Sequence, residues 1–237
     1  MSLAQKNIVV IGGTSGIGLA AAVQASEAGA SVWAASRSAE KIGAAQAQYP
    51  NIQFSQVDTH DPEGLQALFK EVGTIDHIVG AATGATRTQA PFMEQTAEQF
   101  QAAFNKFWGY THVVRTGQPL LTEQGSITLV SGTPARRCNP GMSSVSCTGC
   151  AVEGLVRALA KELAPQRVNG VAPGIIDTPM FDHFGEKKAA TMAAIGQSMP
   201  LGRVGLPEEV ASAIILAMDN SYMTGVILDV DGGALLA

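Results

Sequence analysis

Short apolar runs rich in β-branched residues recur along the chain, at Asn7–Ile11, Ser31–Ala35, Ile52–Val57, Ile75–Gly80, Ser126–Val130, Val168–Val171 and Val226–Val230. Each is too short for a stable helix and is flanked by turn-forming residues, so each reads as a buried strand. Between them the sequence reads as helical over Ser15–Ala28, Ala39–Gln48, Pro62–Val72, Ala97–Gly117, Ser143–Leu163 and Pro207–Met218. The helix starts carry Ser, Asp or Pro and several ends carry Gly or Pro, as the unsatisfied amides and carbonyls of helix termini require. Strands that alternate with helices predict an α/β fold, a doubly wound parallel sheet of about seven strands with helices on both faces. In such a sheet, ligands bind beyond the carboxyl ends of the strands, so the residues that follow each strand are the ones to read for chemistry.

The 237 residues suit one domain spanning 1–237, and no linker, repeat or low-complexity stretch interrupts the series. With 46% hydrophobic and only 15% charged residues, the chain is expected to cover some apolar surface with a partner, as a homo-oligomer (dimer or tetramer). A net charge of −5 with no Lys/Arg run leaves nucleic acid without an electrostatic footprint. No uninterrupted apolar stretch approaches the ~18 residues of a membrane span, and no basic segment with an apolar core precedes the first strand. A cytoplasmic protein without membrane contact is expected. Cys138, Cys147 and Cys150 lack a fourth ligand and a second C-x-x-C, so no metal site is expected, and small core-filling thiols are the reading for all three.

The stretch that organises the chain is Ile11-Gly12-Gly13-Thr14-Ser15-Gly16-Ile17-Gly18, between the first strand and first helix. Strand, glycine-rich turn and helix aim backbone amides from a helix N-terminus at an anion, which makes a diphosphate cradle. Gly12 and Gly13 permit the tight turn, Gly16 lets a pyrophosphate approach, and Gly18 lets the helix pack on the sheet. The spacing is not the G-x-G-x-x-G of ordinary dinucleotide folds. It resembles the T-G-x-x-x-G-I-G of the short-chain dehydrogenase/reductase family, with Ile11 in place of the threonine. The resemblance implies a Rossmann-like domain, a nicotinamide cofactor and a small-molecule substrate.

The segments after the later strands carry the resemblance onward. Ser36-Arg37-Ser38 follows the second strand, where an acidic residue would favour NAD; the serine and arginine suit a phosphate, so NADP(H) is the expected cofactor. The resemblance puts Asp58 against the adenine, with helix capping as its alternative, and Gly80-Ala81-Ala82-Thr83-Gly84 against the adenosine ribose, where small Ala81 and Ala82 replace the usual Asn-Asn. It implies a water-ordering role for Asn105 in Asn105-Lys106-Phe107-Trp108-Gly109, likened to the family's N-x-x-G, and a substrate-polarising role for Ser131 in Leu129-Val130-Ser131-Gly132. Ala172-Pro173-Gly174-Ile175-Ile176-Asp177-Thr178 matches the family's P-G motif; Pro173 and Gly174, the backbone near Ile176 and the Thr178 hydroxyl would hold the nicotinamide side, with a substrate lid over about 178–200. Met223 to Gly233 resembles the family's C-terminal strand, often a dimer contact within a tetramer.

The family's tyrosine and lysine, four residues apart on one helix face, are missing. The text from Ala151 to Pro165 fixes the register and puts Val145 and Gly149 at their positions, and no tyrosine occurs between Tyr110 and Tyr222. Gly149 and its poor helix-forming neighbours Ser144 to Thr148 imply that something approaches this turn closely. Arg136 and Arg137, from the loop after Ser131, are candidates for that space, though neither can donate a proton; solvated loop arginines are the alternative. Ser144 and Cys147 are further candidates. The leading expectation is an NADP(H)-dependent oxidoreductase with an atypical centre, acting on a small carbonyl, alcohol or activated alkene. A cofactor-binding sensor or hetero-oligomer subunit without turnover, or a different chemistry on the same fold, are the alternatives.

Overall fold

The computed structural model describes residues 3–83 and 87–236. Seven parallel strands form one sheet: β1 (Asn7–Ile11), β2 (Ser31–Ser36), β3 (Gln53–Gln56), β4 (Ile75–Gly80), β5 (Leu121–Val130), β6 (Arg167–Pro173) and β7 (Ile227–Val230). The helices are α1 (Gly16–Glu27), α2 (Ala39–Gln48), α3 (Pro62–Val72), α4 (Ala97–Gly117), α5 (Ser143–Glu162), α6 (Lys188–Gln197) and α7 (Pro207–Asp219). The spatial order β3-β2-β1-β4-β5-β6-β7 reverses between β1 and β4, which places the ligand-binding crevice beyond the ends of those two strands.

Strand alternation sorts the core onto two faces. Ile8, Val10, Val32, Val79, Val130 and Val171 meet the alanines of α1 and Ile214 of α7. Val9, Ile11, Ile78, Ile127, Leu129 and Val168 meet Phe69 of α3, Tyr110 and Val113 of α4, and Val152 and Val156 of α5.

The predicted strands and six helices are present with shifts of a residue or two at most ends, and β5 is the main difference. It starts at Leu121, paired with Ile75, because the β4 register shifts before His77 pairs with Ser126. In the segment expected as a substrate lid, a 3₁₀ stretch over Pro179–Lys187, broken at Gly185 (φ 53°), leads into α6. The three cysteines are exposed rather than core-filling. Among the described residues no helix is long and apolar enough to cross a membrane, and no group of His, Cys, Asp and Glu is arranged to hold a metal.

Candidate active site

The turn after β1 is built around missing side chains. A Cβ on Gly12 (φ +87°) would lie 2.5 Å from the Ala82 amide nitrogen, and one on Gly18 would lie 2.1 Å from the Gly12 carbonyl oxygen. Gly16 (φ +54°) has Thr178 at 3.2 Å from where its Cβ would stand, so the segment after β6 packs directly against the turn. Ser15 occupies the N-cap of α1 in extended conformation, yet its side chain makes no capping hydrogen bond. The first amides of α1 therefore face the crevice at the positive end of the helix dipole without a side-chain acceptor, a donor set that fits a diphosphate. Thr14 is buried, and its hydroxyl donates to Ser36 Oγ at 2.9 Å, tying the turn to the end of β2. Ile17 is half-buried and packs against the core beneath the turn.

Beyond β2, Arg37 is exposed and stands 3.7 Å from Asp58 Oδ2. These two line a shallow pocket of about 360 Å³ with Gln56, Val57 and Asp61. Burial opposes the charge of Asp58, but the His60 amide at 2.9 Å and the Arg37 guanidinium outweigh it and hold the carboxyl below the usual range. Ser38 does not face this pocket with a free hydroxyl; it caps α2 by accepting from the Lys41 amide at 3.2 Å. Ala81 continues the β1–β4 ladder through its amide to Ile11 O at 2.8 Å, and Ala82 abuts Gly12, so the small residues are there for backbone contact. Gly84 lies outside the described residues.

On the far side of the crevice, Pro173 ends β6 and Gly174 packs against Asp231, leaving 2.8 Å between its missing Cβ and the Asp231 Cα. Ile176 is buried and bridges to Gly205, and Thr178 is the N-cap of the 3₁₀ segment Pro179–Lys187. Lys188 of α6 sits 2.8 Å from both Asp177 and Asp182, tying α6 to the start of the 3₁₀ segment.

The residues expected to carry catalysis are placed differently. Ser131 follows Ile127 and Leu129 on the α4/α5 face, and its buried hydroxyl donates to Glu153 Oε1 at 3.2 Å. Asn105 is exposed on the outside of α4. The neighbouring Lys106, one turn before the buried Tyr110, points inward: its Nζ donates to the Ser131 carbonyl at 3.1 Å, while Tyr110 Oη donates to the Val130 carbonyl at 3.2 Å. The N-x-x-G spacing counted back from Gly109 in fact falls on Lys106, so Asn105 was the wrong register by one residue, about 100° around the helix. Burial, with repulsion from Arg87, lowers the Lys106 pKa to about 7.

Neither arginine fills the space of the missing pair. Arg136 reaches Glu153 at 3.3 Å and grips both carboxylate oxygens of Asp229 on β7; Arg137 donates to the Ala234 carbonyl in the C-terminal segment. What approaches Gly149 is Ala135, by its methyl and its main chain: a Cβ there would lie 2.9 Å from Ala135 Cβ and 3.2 Å from Ala135 Cα, in the 3₁₀ turn Thr133–Ala135. Cys150 donates to the Ala135 carbonyl at 2.9 Å, and burial raises its thiol pKa, so it is held as a thiol. Ser144 is fully buried and cannot reach a substrate, whereas Cys147 lies on the outer surface of α5.

Two residues that reading by motif overlooked are thus Lys106 and Glu153. Helical phase was the available signal for both: Lys106 shares a face with Ala103 and Tyr110, and Glu153 lies between the buried Val152 and Val156.

A sequence model of the family described as Enoyl-(Acyl carrier protein) reductase matches residues 12–234. A short-chain dehydrogenase/reductase of Stachybotrys chlorohalonatus is 35% identical over 98% of this chain and 97% of its own length. A 3-oxoacyl-(acyl-carrier-protein) reductase of Thermotoga maritima is 34% identical over the full length of both. Among solved structures, the MalC reductase/Diels-Alderase of Malbranchea aurantiaca superimposes with a TM-score of 0.91 at 32% identity, over 99% of this chain and 98% of that one. The NADPH-bound short chain oxidoreductase of Pseudomonas aeruginosa, described as containing an atypical catalytic center, gives 0.89 at 32% identity over 97% and 96%. With the glycine turn, the strand order and these full-length likenesses together, the chain belongs to the short-chain dehydrogenase/reductase family.

Proposed function

We propose that this chain is an NADP(H)-dependent oxidoreductase acting on a small carbonyl, alcohol or activated alkene through a centre without the tyrosine–lysine pair. The observation that carries the reading is the α1 N-terminus, uncapped by its own Ser15 and walled by glycines that leave no room for side chains. NADPH, when bound, supplies the hydride. The α1 amides bind the diphosphate, Arg37 beside its pocket receives the 2′-phosphate, and the backbone near Ile176 with Thr178 holds the nicotinamide end. Ser131 acts as a positioning residue, since its hydroxyl is committed to Glu153 and its carbonyl to Lys106. Phe181 and Phe184 stack at 6.2 Å between centroids on the lid and suit a flat apolar substrate. A cytoplasmic homo-oligomer belongs to the same reading.

A second reading is a cofactor-binding sensor or subunit without turnover, favoured by the Ala135 turn that packs closely against Gly149, the position of the family's lysine. The discriminating experiment is NADPH binding by fluorescence, followed by single-turnover NADPH oxidation at stoichiometric protein with ketones, quinones and enones. Oxidation with any class is the expected result. Tight binding with no oxidation points to the sensor reading, and no binding overturns both.

A further inference from the structure

Among the described residues, Lys106 is the one lysine or arginine that the inner face of α4 delivers to the carboxyl end of β5. Its ammonium has three N–H donors and spends one on the Ser131 carbonyl. Tyr110 presents its ring at 5.6 Å from Nζ, Arg87 stands nearby from the segment between β4 and α4, and Glu153 of α5 is turned to the Ser131 hydroxyl and Arg136. Among the described residues no carboxylate forms an ion pair with Lys106. A half-buried ammonium with spare donors, anchored at a strand end where the fold places its ligands, is poised for a substrate oxygen.

Resting on the oxidoreductase reading, we propose that Lys106 is the proton donor to the substrate carbonyl, in place of the absent tyrosine. The carbonyl carbon accepts hydride from NADPH and is reduced as the nicotinamide is oxidised. The π pair moves onto oxygen, and oxygen takes a proton from Lys106 as the N–H electron pair stays on nitrogen. The products are an alcohol and a neutral amine, which regains its proton from solvent. Burial that lowers the Lys106 pKa to about 7 suits it to this transfer near neutral pH.

Two measurements test the assignment. In the full-length protein without cofactor, the Lys106 side-chain nitrogen resonance, assigned by its loss in Lys106→Met, is expected to titrate near pH 7; a midpoint above 9 overturns the proposal. In single-turnover NADPH oxidation with the carbonyl panel, the wild-type rate is expected to fall as pH rises through about 7, because the donating form is the ammonium. Lys106→Met should lose about 10²- to 10⁴-fold with a flat pH profile, and Lys106→Arg should stay equally slow, since a guanidinium keeps the Ser131 contact but does not release its proton. NADPH affinity unchanged in both variants shows that they fold. Oxidation that survives Lys106→Met within threefold, or that Lys106→Arg restores, overturns the proton-donor role and leaves the oxidoreductase reading standing. No oxidation by the wild type with any substrate class overturns both.

Discussion

Gly149 and Gly154 lie in the same helix, and adding one methyl to each should have opposite effects. At Gly154 nothing lies within 4 Å of the added Cβ, so Gly154→Ala gains helix propensity alone, about 0.5–1 kcal/mol. At Gly149 the same gain meets Ala135, at 2.9 Å from its Cβ, 3.2 Å from its Cα and 3.3 Å from its amide nitrogen. Two of these atoms are backbone of a short 3₁₀ turn, which cannot rotate away as a flexible side chain would. Overpacking of this kind costs roughly 1–3 kcal/mol, so Gly149→Ala should be neutral to about 2 kcal/mol destabilising. Urea unfolding of both variants reads the difference directly. Adding Ala135→Gly removes the nearest contact, and a double-mutant cycle should then return a coupling of about 0.5–1.5 kcal/mol. If Gly149→Ala stabilises as much as Gly154→Ala, the close approach of Ala135 is wrong. The same wall bears on chemistry. Restoring the family's pair with Val145→Tyr and Gly149→Lys should give no gain in carbonyl reduction over the wild type until the Thr133–Ala135 turn is also moved.

Further outcomes follow from the proposed cofactor pocket and the buried charges. Arg37→Ser should weaken NADPH binding by about 10- to 100-fold, the worth of a charge-assisted bond to phosphate. NADH binding should change by no more than about threefold; equal loss of both in fluorescence titration would remove Arg37 from the phosphate role. Arg136→Met leaves Glu153, only 5% exposed, with Arg157 at 3.8 Å as its remaining cation, and should cost about 1–3 kcal/mol in urea unfolding. Adding Glu153→Gln should recover part of that loss. Burial lowers the pKa of His77 to about 4, where its Nδ1 meets Ser126 Oγ at 2.9 Å. The folded state therefore binds its proton less readily than the unfolded chain, so this stability is present above pH ~6.5 and lost as pH falls toward 4. His77→Gln should flatten the stability profile in that window.

The sequence by itself determined the fold, because each local signal agreed with the rest. Short β-branched runs, helices capped by Asp61 and Thr96, and a glycine turn whose spacing only one kind of strand-to-helix connection needs all point to the same doubly wound sheet. It also located the crevice and foretold that something presses on α5 near Gly149. Tertiary structure alone decided what that something is, since the contact with Ala135 joins residues fourteen apart in sequence across a turn with no periodic pattern. It decided likewise which side chains enter the crevice. One residue of strand reverses the face and one residue of helix turns about 100°, so motif counting that was correct to within a residue still chose Asn105 over Lys106. The destinations of Arg136 and Arg137 depend on β7 and the C-terminal segment, some ninety residues beyond the loop, and no local rule reaches that far.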